Sequence, residues 1–148
     1  MAKKKINTKV YVFDLDDTLY MHIMHKPLDY HKKVKKFMKK IKDTGKKIAI
    51  ATHNLRPDSL LSQLDIKDLI DVVIKETRPV NSWDNTIDEY TPKSDMLREI
   101  MSILKCKKKH MLFFDDSPYN IKKVRDFKVK SILVNPVLGI DFENIISH

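Results

Sequence analysis

The stretch Val10-Tyr-Val-Phe-Asp-Leu-Asp-Asp-Thr-Leu19 decides the reading of this chain. Four apolar residues, Val10 to Phe13, make a short run of the kind that forms a fully buried strand. Three carboxylates follow within four positions, Asp14, Asp16 and Asp17. Like charges placed that closely raise one another's pKa and repel. A core strand that ends in them needs a compensating partner. Asp14 and Asp16 alternate, so they are expected to point to one side, and Asp17 to face away and to be dispensable for chemistry.

Outward from this stretch the pattern alternates strand and helix. Strands are predicted over 9–15, 46–52, 70–75, 110–115 and 130–135. Between them, Val34, Phe37, Met38 and Ile41 carry the spacing of a helix over 30–44, which Gly45 stops. Arg56-Pro57 opens a short helix to about Leu64. Met96, Leu97, Ile100, Met101 and Leu104 share one face of a helix over 93–104. Ser117 and Pro118 supply an N-cap and first position for a helix to about Phe127. Residues 76–92 show no clean period and read as a long loop. Apolar strands alternating with helices predict an α/β domain, with a central parallel sheet covered on both faces. The 148 residues suit one domain, 1–148, with neither an internal repeat nor a linker.

Composition removes several classes of protein. No apolar run reaches the ~18 residues of a membrane span, and no apolar segment follows the basic start MAKKKINTK as it would in a secretory signal. The one cysteine, Cys106, cannot form an internal disulfide, so a reducing cytoplasmic or nuclear compartment is expected. Two glycines, Gly45 and Gly139, are too few for a glycine-rich phosphate cradle. The net charge is +9, and 25 of the 29 basic residues are lysine. Such a surface suits either plain solvation or contact with phosphates that reads no sequence.

In a parallel sheet the carboxyl ends of the strands lie on one edge, where such folds place their sites. On that edge fall Asp14 and Asp16, Thr52, and Asp115 with Asp116. Thr91-Pro92 reads as an N-cap and first position, which puts Lys93 in the first turn of its helix. A cation there opposes the helix dipole by about 0.3–1 kcal/mol, so Lys93 is read with the carboxylates. Carboxylates beside a lysine and a hydroxyl suit Mg²⁺, a hard cation that takes oxygen ligands and substrate phosphate.

Asp14-Leu-Asp16-Asp-Thr18 resembles the first motif, DxDx(T/V), of the haloacid dehalogenase superfamily. Thr52, Lys93 and the pair Asp115-Asp116 after Phe113-Phe114 resemble its second, third and fourth motifs, in order. The resemblance spans about residues 9–135, and is greatest to the small magnesium-dependent phosphatases, with Asn120-Ile121 following the fourth motif. Tyr20 stands where that group has tryptophan, and Thr52-His53-Asn54 replaces a Ser-Arg-Thr sequence. The resemblance implies a three-layer Rossmann-like domain without a cap, since residues 53–92 leave no room for one. It also implies an Mg²⁺-dependent phosphomonoester hydrolase. Asp14 would be the nucleophile that forms an aspartyl-phosphate, and Asp16 the general acid and base. Thr18 would fix the turn after the strand. Thr18, Thr52, His53, Asn54 and Lys93 would hold phosphate. Asp14, Asp115 and the Asp16 backbone carbonyl would hold the metal. Asp116 would orient water or Lys93 from behind, with Asn120 beside it.

An open site admits bulky phosphorylated substrates, including phosphoproteins. The alternatives are a 3′-polynucleotide phosphatase and a silent phosphate- or nucleic-acid-binding module. The composition points to neither a membrane nor an obligate protein partner. His22 and His25 after the first motif are placed to touch substrate, and Trp83 to stack on a base or sugar.

Overall fold

A computed structural model describes residues 8–78 and 90–145. Five parallel strands form one sheet in the order β3-β2-β1-β4-β5. They are β1 (Val10–Phe13), β2 (Lys47–Thr52), β3 (Val72–Lys75), β4 (Met111–Asp115) and β5 (Lys130–Leu133). The helices are α1 (Pro27–Asp43), α2 (Asp58–Gln63), α3 (Lys93–Leu104), α4 (Pro118–Asp126) and α5 (Phe142–Ile145). This is the doubly wound α/β arrangement that the alternation of strand and helix implies.

The period of two along each strand makes the three layers. Tyr11, Phe13, Ile48, Ile50, Leu112 and Phe114 face α1, where they meet Tyr30, Val34, Met38 and Ile41. Val10, Val12, Ala49, Ala51, Met111 and Phe113 face the other way, onto Met96, Leu97 and Ile100 of α3 and Ile121 and Val124 of α4. The Phe13 and Phe114 rings stack across adjacent strands with centroids 4.6 Å apart. Such a pair contributes about 0.5–1.5 kcal/mol beyond its buried area.

Helix α1 begins three residues earlier than its apolar spacing predicts. Pro27 occupies its first turn, and Lys26 enters it with a left-handed φ of 53°. A proline's missing N–H is harmless there, so the first turn forms ahead of any buried residue. At its other end Lys46 N–H reaches the Ile41 carbonyl and Gly45 N–H reaches Lys42. Gly45, at φ 78°, thus closes the helix as predicted and hands the chain to β2. Ser117 accepts the Asn120 N–H, as an N-cap should. Thr91 does not cap α3; Pro92 holds that position, and the Thr91 hydroxyl is used elsewhere. Helix α5 has only four residues and no sequence period to announce it.

The described part of the segment between β2 and α3 holds α2, a 3-10 turn and β3, and no separate folded unit. Trp83 lies outside the described residues. Among the described residues no helix is long and apolar enough to cross a membrane.

Candidate active site

The strand period carries the acids to their places. Asp14 follows Val10 and Val12 in phase and so leaves β1 on the α3 side of the sheet. Its N–H bonds the Phe114 carbonyl, which extends the β1–β4 ladder by one step. Asp115 ends β4 in the same phase as Met111 and Phe113. Lys93, the first residue of α3, lies over both. Its ammonium donates to Asp14 Oδ1 at 2.9 Å and to the Ala51 carbonyl, and stands 3.4 Å from Asp115 Oδ2. Lys93 is 1% exposed and Asp115 is fully buried. A charge buried that deeply persists only when paired and hydrogen-bonded, and here the ammonium has two hydrogen-bond acceptors and a second carboxylate in ion-pair range. The helix-dipole penalty read from the sequence is thus offset by two carboxylates.

Asp115 is tied at both oxygens. Oδ1 accepts the Ser117 N–H at 2.9 Å and Oδ2 the Asn120 side-chain amide at 3.0 Å, so the start of α4 orients it. Burial, and then the negative charge of Asp14, push its carboxyl upward, against the pull of Lys93 and these donors. Thr18, fully buried, turns its hydroxyl to Asp14 Oδ2 at 3.3 Å and Asp116 Oδ1 at 3.4 Å. It therefore sets the positions of two acids, and its own carbonyl accepts the Tyr30 hydroxyl at 2.7 Å.

Asp116 is brought to the cluster but does not pair with Lys93. The ion pairs of Lys93 go to Asp14 and Asp115, while Asp116 joins Asp14 and Asp115 in one group, their ligand oxygens within 4.8 Å of one another. The cause is the turn after β4, which brings a residue of the opposite strand phase back to the same mouth. Burial, the hydrogen bond to the Asp14 carboxyl, and the charges of Asp14 and Asp115 together raise Asp116 to about 7.

Asp16 takes partners of its own. Strand β1 ends at Phe13, so Asp16 sits in the turn beyond it. Its carboxylate is part-exposed, with Oδ1 2.8 Å from His22 Nε2 and Oδ2 accepting the Asn54 amide at 3.2 Å. Asn54 thus touches the expected acid–base residue, and its own backbone N–H bonds the Thr52 hydroxyl at 3.0 Å. Thr52 is buried at the end of β2, as the sequence implies. His53 is not brought into the cluster: its Nε2 donates to the Thr91 carbonyl at 2.8 Å, and its ring packs on Tyr90. Asp17 is not one of the three grouped acids. It adopts φ 59° and accepts the His22 backbone N–H.

One residue of the site escaped the sequence reading. Glu76, directly after β3, is 1% exposed. It accepts the Thr91 N–H and hydroxyl, both at 2.6 Å, and the N–H groups of Thr77 and Arg78 at 3.1 and 3.4 Å. Burial would raise its pKa, but these four donors outweigh it and hold the carboxyl below its ordinary value. Glu76 therefore ties the end of β3 to the chain just before Lys93. The only signal was a lone acid closing an apolar strand.

Residues 18–134 match the haloacid dehalogenase-like hydrolase family, so the chain belongs to that family. Asp14 and Asp16 stand immediately before the matched span. Comparison with curated proteins finds none that matches. Among solved structures, the N-terminal part of a Bacteroides fragilis protein, containing a phosphatase domain and complexed with Mg, superposes with a TM-score of 0.68. The identity is 19%, over 95% of this chain and 39% of that one, so the chain spans about two fifths of it. A haloacid dehalogenase-like family hydrolase from Streptococcus pneumoniae superposes with a TM-score of 0.63 at 10% identity, over 96% of this chain and 91% of that one. These likenesses establish the shared three-layer fold.

Proposed function

We propose that the protein is an Mg²⁺-dependent phosphomonoester hydrolase that works through an aspartyl-phosphate on Asp14. The observation that carries this is the buried Lys93 ammonium lying on Asp14, with Asp115 behind it. A phosphoryl group approaching Asp14 meets a fixed cation and the Thr52 hydroxyl, the kind of preorganised support that phosphoryl transfer chiefly needs.

The donor set fits magnesium. Asp14, Asp115 and Asp116 offer only oxygen atoms, grouped tightly enough to surround one ion. Three carboxylates against one ammonium leave an excess of negative charge, and Asp116 relieves it by holding a proton to about pH 7. A dication in reach of the same oxygens would replace that proton. When bound, it would neutralise the acids and lend positive charge to the transferring phosphoryl oxygens.

In the proposed reaction an Asp14 carboxylate oxygen attacks phosphorus, and the bond to the leaving oxygen breaks as Asp16 gives that oxygen a proton. Asp16 then takes a proton from water. The resulting hydroxide attacks phosphorus, the bond to Asp14 breaks, and inorganic phosphate leaves. Lys93 and Thr52 hold the phosphoryl oxygens throughout. His22 and Asn54 hold the two oxygens of Asp16. The described residues build no cap over this mouth, which supports a bulky phosphorylated substrate such as a phosphoprotein.

The test is turnover of an aryl phosphate with Mg²⁺ by the wild type and by Asp14→Asn, with thermal melts to show that both are folded. Turnover confined to the wild type and abolished by EDTA is expected; equal turnover in Asp14→Asn overturns the proposal. Release of phosphate from 3′-phosphorylated oligonucleotides in preference to phosphopeptides would move the substrate to nucleic-acid ends.

A further inference from the structure

The sheet has a second edge, and its chemistry is the opposite of the first. At the amino ends of the strands the register gathers lysines from distant parts of the chain. Lys9 N–H bonds the His110 carbonyl at 2.8 Å, and Lys47 N–H bonds the Lys9 carbonyl at 2.9 Å. Extended back past the paired starts of the strands, by one residue for β1 with β2 and with β4 and by two for β4 with β5, the register sets Lys46 beside Lys9, Lys9 beside His110 and His110 beside Lys128. At a strand spacing of about 4.8 Å this is a basic row roughly 14 Å wide. Lys107 and Lys109 flank it from the connection between α3 and β4, and Lys130 opens β5.

Lys9, Lys107, Lys109, Lys128 and Lys130 are all exposed. Among the described residues none of them, nor Lys46, has a carboxylate within 4 Å. The acids near this edge are engaged or lie at its margin. Asp71 is engaged by Lys42 at 2.7 Å and Lys47 at 3.8 Å, Asp43 and Asp126 end α1 and α4, and Asp141 and Glu143 line a cavity with Lys46. The mutual repulsion is felt locally. Partial burial and then the charges of Lys9, Lys109 and Lys107 hold His110 below its ordinary value. Like charges gathered without counter-ions repel one another, and a polyanion docked on them would relieve that repulsion.

The geometry points to a nucleic-acid strand, held through its phosphates on this edge. Lysines present point charges rather than planar forks, which suits phosphodiester contacts that do not read bases. The exposed large apolar residues fall elsewhere, except for Ile103 near the end of α3, so the edge offers no broad apolar wedge to a membrane. Lys9 and Asp14 are separated by about 16 Å of extended chain, at roughly 3.3 Å per residue. A strand docked on the lysines therefore lies across the domain from the acid cluster, as a tether rather than as the group being hydrolysed. This surface is independent of the proposed hydrolase reaction.

The test uses the full chain, a fluorescent single-stranded oligonucleotide of about twenty nucleotides, and anisotropy at about 50 and 200 mM salt. Lys9→Gln/Lys109→Gln/Lys128→Gln takes three charges from the row and its flank. Lys32→Gln/Lys36→Gln/Lys40→Gln removes the same charge from exposed positions of α1. The row variant is expected to lose at least tenfold in affinity, and its log–log salt slope to flatten by about 0.7 for each lysine that met a phosphate. The α1 variant should change by less than threefold, Lys→Arg at Lys9, Lys109 and Lys128 should retain binding, and aryl-phosphate turnover should be the same in all. No oligonucleotide binding by the wild type at low salt overturns the inference. So does an equal loss in both triple variants, or tighter binding to phosphatidylserine vesicles than to the oligonucleotide.

Discussion

Replacing Glu76 by glutamine tests how the site holds its lysine in place. The carboxylate accepts four hydrogen bonds, two of them from Thr91 at 2.6 Å. Glutamine keeps one oxygen, which can serve the three donors on the Oε2 side. Its NH₂ then faces the Thr91 N–H, donor against donor. One charge-assisted bond is lost, worth about 1.5–3 kcal/mol, and the remaining three weaken to neutral bonds. The expected total is about 3 kcal/mol, a large fraction of the 5–15 kcal/mol typical of a domain. At roughly 2–4 °C per kcal/mol for a domain of this size, the melting temperature falls by about 6–12 °C.

The effect carries a pH signature. The folded carboxyl lies below its ordinary value, so its contribution is full above the unfolded pKa of about 4.3 and fades as pH falls through the folded value. Urea unfolding followed by circular dichroism should show a constant gap between wild type and Glu76→Gln from neutral pH down to about 5, and a narrowing gap below about 4. A gap under about 1 kcal/mol at neutral pH, or one that does not narrow in acid, would refute the reasoning.

The acid cluster gives a prediction of opposite sign. Asp116 is raised to about 7, so the folded state binds a proton that the unfolded chain has already lost, and stability falls between about pH 4 and 7. Magnesium should therefore raise the melting temperature more at about pH 8 than at about pH 5; equal shifts would remove the role given to the cluster. Gly139→Ala places a methyl group 2.2 Å from the Tyr30 ring at a backbone φ of +80°. Strain and overpacking together should cost about 2–4 kcal/mol, read as a lowered midpoint in urea, and an unchanged midpoint would contradict the packing. Asp17→Asn keeps both the left-handed backbone and the acceptor for His22, so turnover should stay within about twofold of wild type. A tenfold loss would place Asp17 in the chemistry.

Local patterns in the sequence carry most of the fold. Helix α3 runs from Lys93 to Leu104 as its apolar face predicts, and Gly45 and Ser117 end and begin helices where their backbone preferences place them. The start of α1 was less legible, because its first turn rests on Pro27 and not on buried residues. Within the site, Asp14, Thr52 and Asp115 follow from strand phase. Asp16 and Asp116 lie in turns beyond their strands, where the period of two gives no guide to placement.

The sequence by itself determined that five apolar strands would align in parallel and bring their acidic ends to one edge, because strand period and helix spacing are local properties. Tertiary structure alone decided which partner each charged group takes. It set Lys93 on Asp14 and Asp115, Asp116 among the other acids, Asp16 between His22 and Asn54, and Glu76 on Thr91. The physical reason is range. A buried charge must find its counter-charge and donors within a few ångströms, and those neighbours come from residues tens of positions away that meet only when the sheet closes.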